Sequence, residues 1–147
     1  MPKATPSTAR PAHTVTPHEA LIYVMIMASA VDRVMSDIEM EAIGSIVRRL
    51  PAFEGFDKKR LLQVAKHCAE ALARPDGFDA TLGMIEKTLP KDLHLTAYAF
   101  AVEIAAVDKT VNLEEVRLLE ILAEKLDLTD LETAAIKQSA EARYRAL

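Results

Sequence analysis

The sequence predicts an all-α protein of about seven helices in one bundle-like domain, with helices 1–2 and helices 5–6 forming an internal two-fold repeat. Three observations lead there. Apolar residues recur at intervals of three and four along most of the chain, which is the period of a helix face. No stretch sustains the alternation of a half-buried strand, and glycine is scarce, at 4 of 147 residues. Residues 28–43 also lie over residues 104–119 without a gap, each copy set between an apolar stretch and an amphipathic one. With half its residues apolar, a chain of this length fits a single domain and can bury a core without staples.

Residues 1–16 hold three of the seven prolines and almost no large apolar residue, a composition that cannot offset the entropy of ordering. They read as a flexible tail ahead of a helical domain at 17–147. Thr16 caps helix 1, with Pro17 at the first helical position and Glu19 placed for a capping box. Leu21, Ile22, Val24, Met25, Ile26 and Met27 leave this helix almost no polar face, so it belongs in the middle of the fold. It should stop near residues 32–35, where Ser36 supplies the cap for helix 2. There Ile38, Ala42, Ile43, Ile46, Val47 and Leu50 make one buried stripe, with Glu39, Glu41, Arg48 and Arg49 turned elsewhere.

Pro51 and Gly55 break helix 2, with the aromatic pair Phe53 and Phe56 in the break. Asp57 can cap helix 3, which carries Leu61, Leu62, Val64, Ala65, Cys68, Ala69 and Leu72 and runs to Arg74-Pro75-Asp76-Gly77. Helix 4, around residues 78–87, is weakened by Gly83 and ends before Pro90. Helix 5, from about residue 92 to 107, is apolar on most sides and is the second central helix. Asn112 caps helix 6 through Val116, Leu118, Leu119, Leu122 and Ala123, and Thr129 with Glu132 forms the capping box of helix 7, which runs to the C-terminus.

The repeat centres on two acidic turns, Asp32-Arg33-Val34-Met35-Ser36-Asp37-Ile38-Glu39 and Asp108-Lys109-Thr110-Val111-Asn112-Leu113-Glu114-Glu115. At an offset of 76 residues, Asp32 matches Asp108, Arg33 matches Lys109, Ser36 matches Asn112 and Glu39 matches Glu115. An apolar helix, then Ala-x-Asp, a short turn, a small polar cap and a Glu opening the next helix resembles the TerB family of tellurite-resistance proteins. That family includes the related domain of the membrane-anchored co-chaperone DjlA, and the resemblance covers about residues 18–145. It implies an all-helical fold of this kind, a bacterial cytoplasmic setting, association with resistance to tellurite and other stresses, and acidic residues that bind divalent metal. One departure stands out: the family usually has Gly after the Asp, permitting a tight left-handed turn, and here Arg33 and Lys109 occupy that place.

Two readings of the turns follow. Ser36 with Glu39 and Asn112 with Glu115 have capping-box spacing, a role that by itself accounts for both glutamates. Asp32 and Asp108 lie four residues ahead of the caps, near helix C-termini, where a carboxylate costs about 0.3–1 kcal/mol unless a positive charge is close. Arg33 and Lys109 supply that charge, or a bound Ca²⁺ or Mg²⁺ does. The ligands of such an ion would be Asp32, Asp37 and Glu39 in one turn and Asp108, Glu114 and Glu115 in the other, completed by backbone carbonyls and water. The spacing is too short for the EF-hand loop of about twelve residues, and so open a site would bind weakly. A site this acidic repels the tellurite anion, so a resistance role would be indirect, through metal sensing or partner recruitment.

Other residues read as structural. His18 and His94 share the offset of 76, but each lies 14 residues before its own Asp. That is about 21 Å along a helix at ~1.5 Å per residue, so they cannot join that Asp in one site unless the helices pack antiparallel across the repeat, and helix-start roles are favoured. Glu103 interrupts the apolar helix 5 as a boundary position reaching solvent, or as the lining of a polar pocket. Cys68 falls in an apolar stripe as a buried thiol, and Met25, Met27, Met35 and Met40 fill core.

Composition removes several function classes. A single cysteine allows neither an intramolecular disulfide nor a thiolate zinc cluster, which suits a reducing compartment. The net charge is −4, and from Glu19 onward 16 basic residues face 22 acidic ones, which argues against a nucleic-acid groove. The apolar run at 21–28 imitates a secretory signal, yet Glu19 sits at its edge and a similar run recurs in mid-chain at 98–107. It is also shorter than the roughly 20 apolar residues that span a bilayer, so a cytoplasmic protein without membrane insertion is expected. No nucleophile–base pair or phosphate loop is visible. The expectation is a non-enzymatic stress-resistance protein that couples weak divalent-cation binding at the two turns to interaction with a protein partner. The alternative is a helical interaction module whose turns only cap helices, with Arg48 and Arg49, or the faces of helices 2 and 6, binding the partner.

Overall fold

The computed structural model describes residues 14–29, 35–107 and 113–147. Seven α-helices account for most of them: α1 (Pro17–Ser29), α2 (Asp37–Arg49), α3 (Leu61–Ala73), α4 (Gly77–Thr88), α5 (His94–Val107), α6 (Leu113–Lys125) and α7 (Asp130–Arg143). Short 3-10 turns cover Pro51–Phe53, Lys58–Arg60 and Lys91–Leu93, and the described residues contain no strand. The all-helical fold is therefore as expected. The tail at 1–13 and the turn residues Asp32, Arg33, Asp108, Lys109 and Asn112 lie outside the described residues.

The apolar composition of α1 dictates its place. Every residue from Glu19 to Ser29 is buried, because a helix without a polar face can shed its contact with water only by being surrounded. It packs most extensively on α5, and further on α3 and α4. Helix α2 lies against α5, and α6 touches both α5 and α1, so the second helix of each repeated pair reaches the first helix of the other. Two pairs at the offset of 76 share burial, Glu39 with Glu115 and Ile46 with Leu122, whereas Ile43, Gly44 and Val47 are buried and Leu119, Glu120 and Ala123 are not.

Helix starts follow the local chemistry of the caps. The Thr16 hydroxyl accepts from the Glu19 backbone N–H at 3.2 Å while the Thr16 N–H donates to Glu19 Oε1 at 3.1 Å. Ser36 with Glu39 and Thr129 with Glu132 form the same reciprocal pair. Asp57 differs from expectation: it caps the 3-10 turn at Lys58–Arg60, accepting from the Lys59 N–H at 3.1 Å, and α3 proper begins only at Leu61. Helix α7 ends at Arg143, short of the C-terminus. Gly77 opens α4 because a Cβ there would meet the Ala71 carbonyl oxygen at 2.3 Å, so only glycine permits this approach to α3.

The two histidines at equivalent helix starts do different work. His18 stacks on Phe53 at 5.9 Å between ring centroids and meets Phe56 edge-on at 5.5 Å, so the aromatic pair in the α2–α3 connection closes over the start of α1. The His94 ring spans the Leu89 and Leu126 carbonyl oxygens, each at 3.2 Å, and ties the start of α5 to the end of α6. Cys68 is fully buried, and burial pushes its thiol up to about 12, which leaves it protonated and unreactive. Met25 and Met27 lie in the core, as expected.

Candidate functional site

Of the carboxylates singled out in the sequence, Asp37, Glu39, Glu114 and Glu115 are among the described residues, and they differ in burial. Asp37 is exposed at the first position of α2, whereas Glu39 is buried. Two residues apart on a helix is ~200° of rotation, so the two side chains leave the helix on opposite sides. Glu39 Oε1 accepts from the Ser36 N–H at 2.9 Å and from its hydroxyl at 3.1 Å, which is the work of a cap. Glu114 is exposed beside Phe78 and Leu113 at a shallow surface depression, while its neighbour Glu115 is buried. Asp32 and Asp108, the remaining members of the two sets, lie outside the described residues. Among the described residues, no three His, Cys, Asp or Glu side chains group closely enough to hold a metal ion.

Glu19 shows what a buried carboxylate needs. It is 1 % exposed, takes the Thr16 N–H on one oxygen and Arg60 Nη2 at 2.8 Å on the other. A charge shielded from water is tolerable only with such partners. The pair ties the start of α1 to the turn before α3, so it is a structural clasp.

A cleft of about 980 Å³ with room for a ligand lies between α5, α6 and α7. Its origin is the way α7 packs. Helix α7 lies chiefly along α5, leaving a gap toward α6. The α6–α7 turn sets that direction: Asp127 adopts a left-handed conformation at φ 58°, the Leu128 N–H donates to the Ala123 carbonyl at 3.0 Å, and the Asp127 N–H donates to Glu124 at 3.1 Å. These are the two bonds of a Schellman motif, which stops α6 sharply and redirects the chain.

Each helix presents one stripe to the cleft. Tyr98, Val102, Ala105 and Ala106 form the floor on α5. Val116, Leu119, Glu120, Ala123 and Glu124 form the α6 wall, and Thr133, Lys137, Ala140, Glu141 and Tyr144 the α7 wall. The spacing is that of a helix face in every case, with small and apolar residues inward and charged residues at the rim. Glu120 and Glu124 stand on α6, while Asp130, Lys137, Glu141 and Arg145 alternate in sign along the α7 side. Burial raises the Tyr98 phenol above its ordinary value, and the nearby Glu120 carboxylate adds to the effect.

The far end of α7 is held by Glu103. Its carboxylate accepts from the Arg143 guanidinium and from the Tyr144 hydroxyl, the latter at 2.5 Å. Burial, with help from that bond, pushes the Tyr144 phenol up to about 12. Glu103 was legible as a boundary position on α5, but its partners on α7 were not, because no local pattern announces a pair 40 residues apart. The cleft itself was missed apart from the face of α6. The signal that could have found it is the face of α7 that Thr133, Ala140 and Tyr144 share, which lacks the large aliphatic side chains of a core-facing helix.

Among the described residues no helix is long and apolar enough to cross a membrane. Comparison of the chain with protein-family models, with curated proteins and with solved structures gives no match.

Proposed function

We propose that the protein is a non-enzymatic helical interaction module, of the stress-resistance kind its two acidic turns resemble, and that it binds a protein partner in the cleft between α5, α6 and α7. The cleft is the observation that carries this reading. Its volume of about 980 Å³ leaves room for side chains of a partner, and its lining mixes apolar residues of α5 and α6 with charged residues of α6 and α7. Helix packing normally closes such a gap, and here Val116 is exposed and Ala106, Leu119, Ala123 and Leu128 are partly so within a charged rim, which suits a partner. The bonds that Glu39 Oε1 makes to Ser36 give this glutamate a capping role that needs no cation, which supports the interaction reading.

A photo-crosslinking residue placed at Thr133, inside the cleft, or at Asp79, exposed on α4, tests the proposal in the native cell. A discrete adduct should form from the Thr133 position alone and vanish when Ala106→Trp fills the floor. Equal labelling from both positions sinks the reading. The stress association is tested separately, by growth under tellurite of cells lacking the protein: the wild-type chain should restore tolerance and Ala106→Trp should not.

A further inference from the structure

We infer that the cleft receives an amphipathic helix of the partner, with large apolar residues at i, i+3 or i+4, and i+7 and with Lys or Arg beside them. This rests on the interaction reading above and adds the conformation and charge of the occupant.

The conformation follows from the walls. All three are helices whose main-chain N–H and C=O groups are, outside the terminal turns, consumed by their own i→i−4 bonds, and the described residues offer no strand edge. An extended peptide would bury its main-chain groups there without partners, whereas a helix arrives with its backbone already satisfied. The dimensions agree. From Val116 to Glu124 the α6 wall runs for about 12 Å at ~1.5 Å per residue, which is two helical turns and the span of three or four apolar anchors. Ala105, Ala106, Ala123 and Ala140 put little side-chain bulk along the inner surface, so bulk must come from the occupant.

The charge follows from the rim. The α6 side carries Glu120 and Glu124, and no cation on that wall faces the cleft. The α7 side alternates Asp130, Lys137, Glu141 and Arg145 and is close to neutral. A bound helix therefore meets net negative charge along α6, and basic residues on that flank are attracted while acidic ones are repelled. The same rim disfavours a nucleic-acid strand, whose phosphates would face those carboxylates.

The test uses the full chain and three fluorescent helical peptides of about sixteen residues: Leu anchors flanked by Lys, the same Leu anchors flanked by Glu, and Lys with the Leu positions changed to Gln. The Leu/Lys peptide should bind saturably and shift the NMR signals of Val102, Ala106, Ala123 and Thr133. It should bind at least roughly tenfold more tightly than either control, and the preference over Leu/Glu should shrink in high salt. The variant Glu120→Lys/Glu124→Lys, which alters only exposed side chains and so should fold, should reverse that preference. Ala106→Trp should abolish binding. If the Leu/Glu peptide occupies the cleft equally well, the basic partner is wrong while the interaction module stands. If a small apolar dye shifts these signals and no helical peptide does, both fall, and the cleft is a small-ligand site. Leu/Lys binding that shifts signals elsewhere, or that survives the charge reversal unchanged, overturns the inference.

Discussion

Replacing Glu103 by Ala should loosen α7 and leave the other helices in place. The carboxylate has two partners on the last turn of α7, and the strength of each follows from its exposure. Arg143 is 51 % exposed and the Glu103 side chain 27 %, so water screens the ion pair, which contributes ~0.5–1 kcal/mol. The Tyr144 hydroxyl is half-buried at 2.5 Å from the other oxygen, and a charge-assisted bond of that kind contributes about 1.5–2 kcal/mol. Their sum of ~2–3 kcal/mol is roughly a thirtyfold to hundredfold shift in the opening equilibrium of α7, at ~1.4 kcal/mol per tenfold. Helix α7 is the element to respond because it has little else to hold it: of its own residues only Ala140 is buried, with Ile136 partly so. Amide hydrogen exchange measured by NMR at residues 137–143 reads this opening directly. The reasoning fails if exchange there changes by less than about twofold in a folded variant. It also fails if Tyr144→Phe and Glu103→Ala add without coupling, since two mutations that break one bond cannot both be charged for it.

Arg60→Ala should destabilise the fold by about 2–3 kcal/mol in urea unfolding: loss of a buried pair costs ~3–5, and the partial exposure of Arg60 reduces this. Glu19→Gln combined with Arg60→Ala should recover part of the loss, and an additive double variant would contradict the clasp. Ser36→Ala should cost ~1 kcal/mol through loss of the α2 cap, equally with and without millimolar calcium. A cost that appears only in calcium would return Glu39 to a metal site. Raising the pH should weaken the fold above pH 10. Tyr23 and Tyr144 are both pushed up to about 12 from 10.0, so the native state holds their protons more tightly than the unfolded chain does. The stability this lends is fully present below the unfolded value of 10.0 and is lost as the pH climbs toward 12. The urea midpoint should fall across that window, together with rising tyrosinate absorbance. Full tyrosine ionisation near pH 10 in a folded chain would refute it.

The helices were legible because their causes are local. Thr16, Ser36 and Thr129 announce their helices through a hydroxyl and a glutamate three residues on, and the pairs form as spaced. The central position of α1 and α5 could be read from their lack of a polar face. Burial of Glu39 and Glu115 could not, since capping boxes are usually at least partly wet and Glu132, in the same motif, is only partly buried. The cleft was invisible for a related reason. It depends on the angle between α6 and α7, which rests on a left-handed Asp127, a conformation that the sequence would signal plainly only with Gly in that place.

The burial of α1 has a consequence for how the chain is made. Its most extensive contact is with α5, and α2, α3 and α4 all separate the two in the chain. Such a non-local pairing slows folding relative to a bundle built of neighbouring hairpins. During synthesis α1 can find α3 and α4 early, but its largest apolar face has no cover until α5 follows. A nascent chain ending at Thr88 therefore carries a greasy helix with its principal partner missing, the kind of surface that holdase chaperones bind and that aggregates when they do not. The innermost helix is made before its principal partner, and the face it turns to α5 stays uncovered until α5 has emerged.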